Sequence, residues 1–175
     1  SFSRRSKGDF CSVMTGGQGH FDKERMEVLK FGGSSLASAD AMHRVRDVLV
    51  ARRKDQRIVV CSAMGGVTNA LINLGLKAAN GDASYAQDLQ ELRLRHEQTL
   101  DELGIADGAD VHQEMLIRFD RLASLCEGVC LLEELSAKSM DRLVSFGERL
   151  AVPIVCAWLE KADLGIRRVD ARDWI

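Results

Sequence analysis

The chain has 175 residues, with 24 Lys and Arg against 26 Asp and Glu and a formal net charge of −2. This balance gives no basic footprint for nucleic acid, and no apolar run approaches the ~18 residues that cross a bilayer. Hydrophobic residues at 46% and charged residues at 29% are the composition of a soluble globular domain, long enough to bury a core without disulfide staples.

Residues 1–25 do not read like the rest. They carry no helical or strand period and hold five Lys/Arg against three Asp/Glu. "MTGGQ" at 14–18 looks like part of a bacteriophage-derived expression tag, and Met26 directly precedes the first strand, as a natural start would. We therefore read 1–25 as vector-derived and without ordered structure, the alternative being a native disordered arm. Subtracting it leaves 26–175 with 19 basic and 23 acidic residues.

From Met26 the periodicities alternate. Residues 27–31 form a short strand. Residues 38–54 put Met42, Val45, Val48 and Leu49 on one helical stripe, with Ser38 as cap. "RIVVCSAM" at 57–64 is a continuous apolar run, the mark of a strand buried on both faces. A helix over about 68–79 follows, with Leu71, Leu74 and Ala78 in register. Strands joined through helices point to a parallel sheet with right-handed crossovers.

The middle is helical. Over 84–103, Leu89, Leu92, His96, Leu100 and Leu103 mark one face; over 110–135, Met115, Phe119, Leu122 and Leu125 mark another. The pair reads as a helical hairpin inserted into, or laid beside, the sheet. Residues 137–163 read as two helical pieces jointed at "SFGE" (145–148), with Pro153 in an early turn of the second piece or bending it. A third strand-like run closes the chain at about 166–171. So few strands for so many helices make the doubly wound sheet look unfinished.

The five cysteines are scattered. Cys126 and Cys130, four apart on a helix, could hold a metal, but no second pair completes a four-ligand site, so they read as buried thiols. A reducing compartment follows.

Three glycine-containing clusters could carry chemistry. In "KFGGSS" (30–35) the glycines let the backbone approach a ligand, the following helical start favours an anion, and Lys30 can set a compact charge against phosphate oxygens. The lysine precedes the glycines, so this is neither a Walker A loop nor G-x-G-x-x-G, and an ordinary turn stays open. "CSAMGGVTN" (61–69) repeats the design, with Ser62 and Thr68 offering hydroxyls; the bland alternative is a left-handed turn with Thr68 as helix cap. In "SFGERL" (145–150), Glu148 could accept a substrate ammonium group or merely suit the dipole of a helix's first turn. In a parallel sheet the two loops share the carboxyl edge, where such folds bind ligands.

Taken in order, "KFGGSS", "SAMGGVTN", "SFGERL" and "VDARD", with "LRHEQTLDEL" between the second and third, resemble the aspartate kinases of the amino acid kinase family. The match runs over 26–175. The resemblance implies an α/β fold, a partial doubly wound parallel sheet of the amino acid kinase (carbamate kinase-like) type with a helical insert. It also implies ATP-dependent phosphorylation of the β-carboxylate of L-aspartate, the step that opens lysine, threonine and methionine biosynthesis. Lys30 would meet the ATP phosphates as the catalytic cation, with Phe31, Gly32, Gly33 and Ser34 forming the rest of the ATP-binding loop. Ser62, Thr68 and Glu148 would hold aspartate, Glu148 facing its ammonium.

Mg²⁺ would accompany ATP, although no metal-ligand cluster stands out, and an arginine for the aspartate α-carboxylate is expected beyond Ile175. The same resemblance implies a cytoplasmic enzyme, homo-oligomeric at full length, with no membrane or nucleic-acid partner. The 175-residue chain would be an N-terminal portion with little or no activity alone, from a monofunctional enzyme or one fused to homoserine dehydrogenase. Two other readings stay open: a glutamate or acetylglutamate kinase, and a non-catalytic carboxylate-binding module.

Overall fold

The structure, a computed structural model, describes residues 11–15, 26–52, 57–106 and 109–173. Four strands form one sheet in the order β2-β3-β1-β4: β1 (Cys11–Thr15), β2 (Glu27–Phe31), β3 (Arg57–Cys61) and β4 (Ile166–Asp170). The expected parallel pair is present, with Glu27 opposite Arg57 and Phe31 opposite Cys61. The sheet as a whole is mixed, because β1 runs antiparallel to both β3 and β4.

β1 lies inside the 1–25 stretch, where the sequence shows no strand period. Its place has a simple physical reason. A parallel pair leaves a row of unpaired N–H and C=O groups along β3, and an extended segment that satisfies them is favoured wherever it comes from. The remainder of 1–25 lies outside the described residues.

Five helices follow: α1 (Ala39–Ala51), α2 (Val67–Ala79), α3 (Tyr85–Glu102), α4 (Asp110–Leu132) and α5 (Ala137–Lys161). Ser38 caps α1 as expected, its Oγ accepting from the Ala41 N–H at 3.3 Å. Met42, Val45 and Leu49 turn into the core, whereas Val48, on the same expected stripe, is exposed. The α3 and α4 stripes turn inward as read, with Leu89 and Leu125 half-buried and the others buried, and His96 packs edge-on to Phe119 at 5.5 Å between ring centroids.

α5 corrects the expectation of two helical pieces. It is one helix of 25 residues that runs through Pro153. A proline inside a helix removes one backbone hydrogen bond and crowds the preceding turn, at about 3 kcal/mol. Here every residue from Leu150 to Cys156 is buried. At roughly 1.5–3 kcal/mol per large apolar side chain, that burial outweighs the defect. Glu148 therefore sits in the middle of a helix, and the first-turn dipole reading of it is withdrawn.

The burial of β3 alternates instead of being complete. Arg57, Val59 and Cys61 are buried beneath the helices, while Ile58 and Val60 on the other face are only half-buried. Arg57 spans the seam between sheet and helix, donating to the Leu49 carbonyl at 2.8 Å and pairing with Glu27 at 3.3 Å. His43 and Arg46 of α1 both lie against the Trp158 ring of α5, so α1 and α5 pack on the same side.

Candidate functional site

The first and second glycine clusters leave the ends of the parallel pair side by side, as the topology requires. The Ser62 N–H donates to the Phe31 carbonyl at 3.0 Å, prolonging the ladder by one bond into the loops. Beyond it the two backbones touch. A Cβ on Gly33 would lie 3.2 Å from the Ala63 carbonyl oxygen and 3.4 Å from Gly65 Cα; one on Gly65 would lie 2.9 Å from Ala37 Cβ. A side chain at Gly65 would force a shift of its neighbours, and one at Gly33 would be tight, so this approach favours glycine at both. Gly66 then adopts φ 81° at the head of α2.

That left-handed residue, and not Thr68, is the N-cap of α2, and no side chain caps the helix. Thr68 is the second residue of α2 and half-buried. The first-turn N–H groups of a helix have no intrahelical partner, so this end can receive an anion. The first loop makes a single 3₁₀ turn, Gly33–Leu36, closed by a hydrogen bond from the Ser35 N–H to the Gly32 carbonyl at 3.0 Å.

The third cluster arrives from α5. A Cβ on Gly147 would lie 2.7 Å from Ala63 Cβ and 3.7 Å from Leu71 Cδ1. Gly147 thus lets α5 press against the second loop, bringing the neighbouring Glu148, half-buried, to the border of that loop and α2. All three clusters meet around Ala63. The sequence reading singled out neither Ala63 nor its role as the common contact; its small size between Ser62 and Met64 was the only available signal.

The expected site residues therefore fall in two groups. Phe31, Gly32, Gly33 and Ser34 lie on the first loop and the strand end before it, with Ser34 exposed; Ser62 lies in the second loop, Thr68 at the start of α2 and Glu148 beside Gly147 on α5. Lys30 is exposed near the end of β2 and makes no ion pair with another described residue. Its register partner is Val60, which places it on the less covered face of the sheet.

One contributor was missed altogether. Arg95 of α3 donates from Nη2 to the Gly65 carbonyl at 2.6 Å and to the Ala37 carbonyl at 3.2 Å. The sequence offers only an arginine beside the buried His96, a pattern common to any solvated helix flank.

Among the described residues no group of three or more His, Cys, Asp or Glu could hold a metal ion. Cys61, Cys126 and Cys156 are buried and Cys130 is half-buried; burial pushes the Cys126 thiol up to about 12, so it is no metal-ready thiolate. A separate cavity of about 610 Å³ lies between Gly104, Val111, Glu114, Pro153, Lys161 and Arg168. Three of its charged side chains are already engaged: Arg168 pairs with Glu114 at 2.7 Å and Lys161 donates to the Gly104 carbonyl at 2.5 Å. No helix among the described residues is long and apolar enough to cross a membrane.

Comparison with known proteins gives the family. The model of the amino acid kinase family matches residues 25–175. Chloroplastic aspartokinase 1 of Arabidopsis thaliana is 36% identical over 147 residues, covering 82% of this chain and 25% of the relative. Aspartokinase 2 of the same plant is 34% identical over 152 residues, covering 85% and 27%. Among solved structures, E. coli aspartokinase III in complex with aspartate and ADP superposes with a TM-score of 0.69 at 28% identity, over 79% of this chain and 30% of that one. The chain thus spans about a quarter of the length of the curated relatives it matches.

Proposed function

The chain belongs to the amino acid kinase family, and on that premise we propose that it supplies the phosphate loop and aspartate-binding elements of an aspartate kinase. The reaction is transfer of the ATP γ-phosphoryl group to the β-carboxylate of L-aspartate, giving aspartyl phosphate. The observation that carries the reading is that the first and third motifs both close on Ala63 of the second, through Gly33 and Gly147. A fold that merely needed turns has no use for two such contacts at one point.

Phosphoryl transfer asks the protein chiefly for positioning and electrostatic stabilisation. In this reading the loop Phe31–Ser34 cradles the nucleotide phosphates through backbone N–H groups, and Lys30 offsets their charge. Ser62 borders the reacting groups. Thr68 and the uncapped start of α2 take the aspartate side, with Glu148 opposite its ammonium. The described residues provide no three-ligand cage for Mg²⁺. That ion fits this reading as a companion of ATP, bound by phosphates, water and at most one or two carboxylates.

The scattered spacing of the five cysteines supports a reducing, cytoplasm-like compartment. Homo-oligomerisation of the whole enzyme, the vector origin of 1–25, and low turnover by this chain alone belong to the same proposal. Thermal-shift titration tests it: L-aspartate and ATP–Mg²⁺ should each stabilise the chain, and L-glutamate should not. Equal responses to aspartate and glutamate, or none to either, would contradict it.

A further inference from the structure

Arg95 reaches across a seam that no element of the sheet crosses. α3 belongs to the helical hairpin, 30 residues from Gly65 and 58 from Ala37 along the chain, yet its guanidinium bonds to the carbonyls of both. Those acceptors belong to the two glycine loops. Ala37 caps the 3₁₀ turn of the first, and Gly65 is the residue of the second on which a Cβ would stand 2.9 Å from Ala37 Cβ and 3.1 Å from the Gly33 carbonyl oxygen. Ala37 and Gly65 carbonyls both lack a helical ladder bond at this point, and a charged donor satisfies them together. No carboxylate among the described residues pairs with Arg95, so its charge is not cancelled locally. The Thr99 hydroxyl, one turn on, donates to the Arg95 carbonyl at 2.9 Å and steadies that turn of α3.

We propose that Arg95 is a positioning residue that locks the two glycine loops into one rigid anion-binding unit, so that the helical hairpin controls the alignment of the nucleotide and aspartate subsites. The proposal rests on reading those loops as the ligand site, and it deepens that reading by assigning a role to the helical insert. It acts through carbonyl groups and touches no substrate. Both bonds leave a single nitrogen, Nη2. A lysine ammonium, a single nitrogen with three donors, can therefore make the same bridge.

The test uses the 175-residue chain with Arg95→Met, Arg95→Gln and Arg95→Lys. Residue-resolved amide exchange without ligand reports on the loop hydrogen bonds of Ser35, Ser62 and Val67, each 3.0 Å in the parent. Arg95→Met should speed exchange at these three amides at least about tenfold, the scale of one lost charged hydrogen bond. Exchange along α4 and α5 should stay unchanged. Arg95→Lys should restore the parent rates, and Arg95→Gln, with donors but no charge, should fall between and serves where Met is not tolerated.

ADP titration adds the functional readout. Arg95→Met should weaken binding at least about tenfold with the melting temperature nearly unchanged, and Arg95→Lys should recover it. Parent-like exchange in Arg95→Met, or Arg95→Lys behaving like Arg95→Met, overturns the clamp. If ADP binds none of the proteins, the phosphate-loop reading fails, while the exchange data still decide the clamp.

Discussion

Gly147 in the middle of α5 and Ala63 in the loop after β3 approach so closely that a methyl group on the first would stand 2.7 Å from the Cβ of the second. The contact fixes the distance between the second glycine loop and Glu148. Gly147→Ala should therefore destabilise the chain by about 1–3 kcal/mol, the cost of overpacking. This outweighs the gain of up to ~1 kcal/mol in helix propensity. Urea denaturation reads the loss. Ala63→Gly added to Gly147→Ala should recover a large part of it, as expected of residues in direct contact.

Gly65→Ala should act on binding more than on folding. Its Cβ would fall 2.9 Å from Ala37 Cβ and 3.1 Å from the Gly33 carbonyl oxygen, so the first loop must move aside. ADP affinity measured by calorimetry should fall at least about tenfold, the equivalent of ~1.4 kcal/mol. The affinity for aspartate should fall less.

Lys30 should show the opposite separation from Gly147. It is exposed and pairs with no other described residue, so Lys30→Ala should leave the urea midpoint within experimental error. Loss of a charged hydrogen bond to phosphate costs roughly 1.5–3 kcal/mol. ATP affinity, measured by the same calorimetry at low salt, should fall accordingly while the fold is untouched.

Acid should weaken the helical hairpin through His96. Burial holds this imidazole neutral and lowers its pKa from 6.5 to about 4, against the smaller opposing effect of its hydrogen bond to the Leu92 carbonyl. The unfolded chain takes up the proton first, so the stabilising contribution is complete above pH 6.5 and is lost as pH falls toward 4. Between pH 7 and 5 the loss is roughly 2 kcal/mol. Urea titrations at the two pH values should show it, and His96→Leu should flatten the difference.

The strands 27–31 and 57–61 and the helices around Met42, Leu71, Leu92 and Met115 were legible, because each is written in a clean period of apolar residues. α5 was not read as one helix, because Gly147 and Pro153 are local breakers and only tertiary burial reveals that packing overrides them. β1 was not legible either, since its partner is an edge that exists only once the sheet has formed. At the site, the glycine clusters announced themselves by composition. Ala63 and Arg95 did not, because their significance lies in contacts made across the fold, in Arg95's case over 30 and 58 residues.

The central claim is that the two loops form one divided site, phosphate on the first and aspartate on the second. Residue-resolved amide shifts of the 175-residue chain test it directly, under separate titrations with ADP–Mg²⁺ and L-aspartate. ADP–Mg²⁺ should move the amides of Gly32, Gly33 and Ser34 most, and L-aspartate those of Ser62, Thr68 and Glu148. Shifts confined to the cavity around Gly104, Val111 and Lys161, or no saturable shift at either loop, would contradict it.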